Sequence, residues 1–166
     1  MGLISSNILK LLQDQYRHEM SNHFRYVARS SWARFRGLEG IGDFFDGEAK
    51  GEAEHADKVR SYIEDRNEAV APAPYAFDDP ADWKAFGELF TSALEVERDT
   101  TERLQTIYAE AIKAGDFMKS TWVQGLISEQ CEEENLYVTI LDRITARGDD
   151  LSACHDIDVW IAERLK

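Results

Sequence analysis

The feature that most constrains this chain is a helical stripe whose middle is charged. From Phe44 to His55 the sequence reads Phe-Phe-Asp-Gly-Glu-Ala-Lys-Gly-Glu-Ala-Glu-His. Wound as a helix, Ile41, Phe45, Glu48, Glu52, His55, Val59 and Tyr62 recur at steps of three or four and share one face. The ends of that stripe are apolar, as a core-facing stripe should be. Its middle is two carboxylates and an imidazole. Burying such groups uncompensated costs several kcal/mol, so each needs a partner or a metal.

The bulk numbers fix the frame around that stripe. With 166 residues the chain is read as one domain, long enough for a hydrophobic core. It holds 32 acidic against 19 basic residues, a formal charge of −13, which argues against nucleic acid or an anionic membrane as partner and suits attraction of cations. Cys131 and Cys154 make no disulfide framework, so a reducing compartment is expected. No run approaches the roughly 20 apolar residues of a membrane span. The start, Met1 to Asn7, lacks the basic residues and cleavage site of a signal peptide, although Gly2 with Ser6 fits the loose N-myristoylation pattern. A cytoplasmic location is expected, or a plastid if the source is algal.

Four long helices and a short fifth follow from the periodicity. The first is expected over 5–35, capped by Ser5 or Ser6 and stopped by Arg36-Gly37, with the stripe Ile8, Leu12, Gln15, Glu19, Asn22, Tyr26. The second covers about 39–66. All three prolines, Pro72, Pro74 and Pro80, fall in the next segment, 67–81, which reads as an extended connection. Fifteen extended residues reach roughly 50 Å, and a 28-residue helix is roughly 42 Å long. The connection can therefore cross the whole bundle and make its flanking helices parallel. The third helix is expected over 82–113, with Phe90, Leu94, Glu97, Thr101, Leu104 and Tyr108 on one face. The fourth spans 117–147, with Trp122, Leu126, Gln130, Glu133, Tyr137, Ile140 and Ile144. A fifth runs over 150–164, capped by Asp149 or Asp150, with Leu151, Ile157, Trp160, Ile161 and Leu165 apolar. The fold class is all-α, a four-helix bundle.

Glu19, Glu52, Glu97 and Glu133 each lie near the midpoint of their helix, and midpoints coincide in a bundle whichever way the helices run. Four carboxylates and His55 therefore converge at mid-height. Like charges that close cannot all stay ionised unless cations sit among them. One Glu-x-x-His alone is ordinarily a solvated pair on a helix surface; four stripes interrupted at one height are not so explained. The donor set is oxygen-rich with one imidazole. Structural zinc would want more Cys or His, and calcium has no use for the His; iron or manganese fits best, magnesium less well.

At this point the residues resemble a known family, the non-haem ferritins. Their ligand pattern is that of the ferritin-like di-iron bundles, in which Glu-x-x-His carries two ligands on successive turns of one helix and single Glu residues come from others. That is a match to a known pattern rather than a deduction. The resemblance covers essentially the whole chain: helix lengths, long crossover, short last helix, and the spacings of Glu19, Glu52-x-x-His55, Glu97 and Gln130-x-x-Glu133. Ser128 to Glu134 looks like the fourth-helix motif of bacterial ferritins, and Phe44 to Lys50 looks more like cyanobacterial and algal members. The resemblance implies an iron-storage protein with a ferroxidase centre, oxidising Fe(II) with dioxygen or hydrogen peroxide and storing ferric mineral in a 24-subunit homo-oligomeric shell. Glu19, Glu52 and His55 would hold the first iron; Glu52 as bridge, Glu97 and Glu133 the second. Gln130 would stand behind them, and Tyr26 would hydrogen-bond to the centre or lend an electron. Glu129 and Glu132 match the family's third iron position. Glu95 competes with Glu97 by closeness, but stripe and family spacing both select Glu97.

The departures are specific. Bacterial ferritins commonly carry an acid directly before Glu-x-x-His, where this chain has Gly51, so Glu48, one turn earlier, is an alternative third-site ligand. Bacterioferritins have a second Glu-x-x-His, here Gln130-x-x-Glu133, and their haem methionine would fall at Ala53, so no haem is expected. Where the family lines its three-fold channel, Asp116 fits and Lys119 departs. Two other readings compete: a different di-iron oxidase or oxygenase on the same bundle, and a helical interaction protein with an inert acidic core.

Overall fold

The computed structural model describes residues 3–71, 83–148 and 150–164. Gly2 with its acylation pattern, the three prolines of the connection, Asp149, the Leu151 side chain and Leu165 lie outside the described residues. Five helices follow in order, with no strand among the described residues: α1 (Ser6–Phe35), α2 (Glu39–Asp65), α3 (Phe86–Lys113), α4 (Phe117–Arg147) and α5 (Leu151–Arg164). None of the described helices is long and apolar enough to cross a membrane.

Contacts between helices give the topology. Ile8 and Leu12, early in α1, pack with Val59 and Ile63, late in α2, so this pair is antiparallel. Phe44 and Phe45, early in α2, meet Phe90, early in α3, while Val59 and Ile63 share a cluster with Leu104 and Ile107. α2 and α3 therefore run in the same direction, as a long crossover requires. Tyr62 stacks on Trp122 and Phe44 meets Tyr137, which sets α4 antiparallel to α2. This is the all-α bundle with a long second connection that the stripes imply.

Helix ends follow local chemistry. Gly37, Gly115 and Gly148 take positive φ at the stops of α1, α3 and α4, where a side chain would be strained. Asp150 accepts from the Ala153 amide at 2.9 Å and so caps α5. Ser5 occupies the N-cap position of α1 with extended backbone, but its hydroxyl makes no cap bond, contrary to expectation. The third helix also begins later than its stripe suggests, at Phe86 rather than 82. Trp83 is tied down first: its carbonyl accepts from Trp32 Nε1 at 3.1 Å and its own Nε1 donates to Ser92 Oγ at 2.9 Å. Ala85 stays extended, and Glu88 reaches back to the Lys84 amide at 2.9 Å. α5 closes one end of the bundle, where Asp158 accepts from the Ile41 amide at 2.8 Å and satisfies a free donor in the first turn of α2.

The apolar core comes in two pieces. One gathers Tyr26, Phe44, Phe45, Phe90, Tyr137, Ile140 and the α5 residues Ile157 and Ile161. The other gathers Ile8, Leu12, Val59, Ile63, Leu104, Ile107 and Val123 toward the opposite end. Between them lies a buried polar layer containing Gln15, Glu19, Asn22, Glu52, Glu97, Thr100 and Gln130. Each fully buried large apolar side chain contributes about 1.5–3 kcal/mol, and the two apolar blocks flank the layer on either side along the bundle.

Candidate metal centre

Each helix delivers its polar residue because the flanking residues of its stripe are buried. In α1, Leu12 and Tyr26 bracket Glu19; in α2, Phe45 and Val59 bracket Glu52; in α3, Phe90 and Leu104 bracket Glu97. Glu19, Glu52 and Glu97 are 2%, 4% and 1% exposed, whereas Glu95 is on the solvent face. One donor atom from each of Glu19, Glu52 and His55 lies within 4.8 Å of the other two. His55 Nε2 stands 3.7 Å from Glu133 Oε1. Glu48, Glu52, His55, Glu97 and Glu133 line one small cavity of about 50 Å³ together with Gly47 and Gly51.

The hydrogen bonds there satisfy only part of each carboxylate. Gln15 Nε2 donates to Glu19 Oε1 at 2.7 Å. The Tyr26 phenol donates to Glu97 Oε1, and Gln130 Nε2 donates to Glu133 Oε2. Thr101 Oγ1 donates to Glu134 Oε1 at 2.5 Å and lies 3.4 Å from Gln130 Oε1. The remaining oxygens, Oε2 of Glu19, of Glu52 and of Glu97, are buried without any hydrogen-bond partner. Native interiors rarely leave such atoms unpaired, and three carboxylate oxygens at one level is the pattern that a cation resolves.

Electrostatics agree. Burial, then the charges of Glu19 and Glu97, push the Glu52 carboxyl well above the usual range. Burial and Glu133 do the same to Glu97, against the Tyr26 hydrogen bond. Glu133 is raised by burial, with His55 opposing. Burial pushes Glu48 up to about 7, and the bond from Tyr137 holds it lower than burial alone would. Tyr26 is raised by burial and by Glu97. Without metal, the centre holds protons that a divalent cation would displace.

The remaining candidates are placed less uniformly. Glu129 is exposed, 3.4 Å from His55 Nε2 and bound to Lys58 at 2.7 Å. Glu132 is exposed and does not join the cluster. Asp116 is not an open acid, because buried Lys119 of its own chain donates to it through Nζ at 2.7 Å. Two contacts had no expectation attached. Tyr137 donates to Glu48 Oε2 at 2.8 Å and stacks nearly parallel on Tyr26, ring centroids 6.4 Å apart; its one sequence signal is a hydroxyl on the core stripe one turn past Glu133. Gln15 sits on the α1 stripe one turn before Glu19.

The comparisons point one way. The family model for a ferritin-like domain matches residues 9–146. A bacterial non-heme ferritin of Staphylococcus haemolyticus is 29% identical over 98% of this chain and 97% of its own length. One from Staphylococcus aureus is 29% identical over 92% of each. In structure, an open pore ferritin from the hyperthermophilic archaeon Archaeoglobus fulgidus superposes with a TM-score of 0.91 across 96% of this chain and 98% of that one, at 23% identity, a likeness of fold. With the family model spanning all four long helices and every carboxylate of the central layer, this chain belongs to the ferritin family.

Proposed function

We propose that this protein is an iron-storage ferritin with ferroxidase activity. The observation that carries the proposal is the set of buried, unpartnered oxygens of Glu19, Glu52 and Glu97 beside His55. Oxygen donors with one imidazole suit Fe(II), and anionic donors favour the more highly charged Fe(III) once an electron has left. Glu19, Glu52 and His55 hold one Fe(II); Glu52, Glu97 and Glu133 hold the second, so that Glu52 bridges. Two Fe(II) ions each give up one electron. Dioxygen takes both with two protons and leaves as hydrogen peroxide, or peroxide takes both with two protons and leaves as two waters.

The chain's own residues set the geometry of that exchange. Gln130 and Tyr26 each fix one oxygen of Glu133 and Glu97, leaving the other for metal. Such supporting contacts typically matter 10- to 100-fold in metal affinity or activity, a rough scale. Tyr26, which donates to Glu97, would be the tyrosine that hydrogen-bonds to the centre or lends it an electron. Glu48, or else Glu129 with Glu132, would supply the next ligand on the way to a ferric mineral, inside a shell of 24 copies in the cytoplasm. Relatives named bacterial non-heme ferritin, similar over 92–97% of their own length, support this reading.

Anaerobic Fe(II) titration with an oxygen electrode and light scattering tests the proposal. Saturation at two Fe(II) per chain, rapid oxygen uptake on mixing and a large hollow particle are expected. A monomer or dimer that oxidises Fe(II) would instead favour a di-iron oxidase of another kind. Absence of stoichiometric Fe(II) binding would leave an inert acidic core.

A further inference from the structure

α2 carries glycine at positions 40, 42, 47 and 51, and glycine inside a helix costs about 1 kcal/mol relative to alanine. The first two are explained by packing. A Cβ at Gly40 would collide with the Asp158 carbonyl oxygen, and one at Gly42 would lie 2.7 Å from Arg34 Cγ. At Gly47 and Gly51 a Cβ would meet nothing within 4 Å, and neither residue has positive φ. Neither packing within the chain nor backbone geometry asks for glycine there.

What the second pair shares is the small cavity. Gly47 and Gly51, one turn apart, line it with Glu48, Glu52, His55, Glu97 and Glu133. Glu52 and Glu97 border it with an unpartnered Oε2 each, although both residues are at least nine-tenths buried. Its volume of about 50 Å³ suits one or two waters, or one cation that keeps part of its hydration. The donors deepen in steps: the side chains of Glu133, His55 and Glu52 are 29%, 14% and 5% exposed.

We propose that Gly47 and Gly51 form an access port for hydrated divalent cations on the side of α2 that faces Glu133, leading first to Glu133 and His55 and then to Glu52 and Glu97. This rests on the metal-centre reading above. A cation arriving from water must shed ligands one at a time, and its remaining waters need room while Glu133 replaces the first of them. Side chains at 47 and 51 would fill that room. The bare helix surface is kept at the expense of helix propensity.

The test uses the full-length, metal-free protein and Co(II), which binds without being oxidised under these conditions. Stopped-flow uptake is compared among wild type, the paired variants Gly47→Ala/Gly51→Ala and Gly47→Leu/Gly51→Leu, and Gly125→Leu. Gly125 is an open glycine of α4 that does not border the cavity. The Leu pair should keep wild-type Co(II) stoichiometry but take it up roughly tenfold more slowly, and the Ala pair about threefold more slowly. The Ala pair should also melt at a higher temperature than wild type, and Gly125→Leu should match wild-type uptake. Wild-type uptake rates in the Ala pair overturn the port, and that variant decides if the Leu pair fails to fold. A folded Leu pair with reduced stoichiometry also overturns it, because the glycines would then shape the centre itself. Wild type that takes no Co(II) at the centre sinks the metal-centre reading, and the port with it.

Discussion

His18, Asn22 and Thr100 lie between α1 and α3 as deep in the bundle as Glu19, Glu52 and Glu97, and the two groups treat their polar atoms differently. In the first, His18 Nε2 is 2.8 Å from Thr100 Oγ1 and Asn22 Nδ2 donates to the same oxygen at 3.2 Å. Thr100 Oγ1 donates to the Val96 carbonyl at 3.1 Å, and Arg25 donates to Asn22 Oδ1 at 2.8 Å. Burial and then Arg103 hold the imidazole down to about 3, so His18 is neutral. The buried members of that network, His18, Asn22 and Thr100, are uncharged and partnered. In the second group, three carboxylates face one another with an oxygen each unpaired. Burial of polar residues therefore does not mark a site; several unpaired carboxylate oxygens gathered at one level do. A satisfied network stiffens the contact between α1 and α3, whereas an unsatisfied one requires a ligand.

The largest effect that would separate the groups is on catalysis. Glu52→Ala should cut the initial rate of Fe(II) oxidation at least ~100-fold, because on the proposed function both metal positions would lose their shared ligand. Asn22→Ala should leave that rate nearly unchanged and cost about 1–3 kcal/mol of stability, or roughly 2–4 °C of Tm per kcal/mol at this chain length. Loss of oxidation in Asn22→Ala with metal still bound would erase the distinction.

Proton linkage gives the groups opposite signs. Glu52, Glu97 and Glu133 are raised above the ordinary 4.5, and Glu48 is raised to about 7. The folded protein therefore keeps protons that the unfolded chain has released. The stability these carboxyls contribute is complete below 4.5 and is lost as pH rises through their folded values. His18 runs the other way: the unfolded chain takes a proton near 6.5 that the fold refuses down to about 3, so its contribution is lost as pH falls through that window. Above 6.5 only the carboxyls remain. Calorimetry should show the metal-free protein melting lower at about pH 8 than at about pH 6.5, with saturating Zn(II) removing most of the drop. A flat profile without metal would contradict the charge clustering.

Smaller effects sharpen the edge of the second group. Glu48→Ala should spare the first oxidation and slow later turnover, measured by repeated Fe(II) additions. Slowing of the first step would put Glu48 inside the centre. Tyr137→Phe should have the smallest effect, about 0.5–1.5 kcal/mol of stability. It should also shift the Glu48 titration upward, because the lost hydrogen bond is the one that lowers it. Infrared difference spectra of the metal-free protein would read that shift, and an unmoved carboxyl band would show that Tyr137 does not govern Glu48.

Much of the fold was legible because each stripe carries its own register. Leu94, Glu97 and Leu104 are buried while Glu95 faces solvent, which is the choice the α3 periodicity makes. The stops at Gly37, Gly115 and Gly148 were legible because positive φ selects glycine. The start of α3 was not, since Trp83 is held by Trp32 and Ser92 across space and nothing local announces it. The meeting of Glu19, Glu52, His55, Glu97 and Glu133 at one height follows from equal helix lengths. Which oxygen each neighbour occupies does not follow, because Tyr137 on Glu48 and Lys119 on Asp116 depend on rotamers and on helix separation. The open space beside Gly47 and Gly51 was invisible for the same reason: a sequence shows that a side chain is missing but not whether a neighbour fills the gap.

The most direct measurement is anomalous diffraction from crystals soaked anaerobically in Fe(II). The account predicts two peaks at mid-height, one among Glu19, Glu52 and His55 and one among Glu52, Glu97 and Glu133. Iron confined to exposed acids such as Glu132, with the buried carboxyls empty, would contradict it.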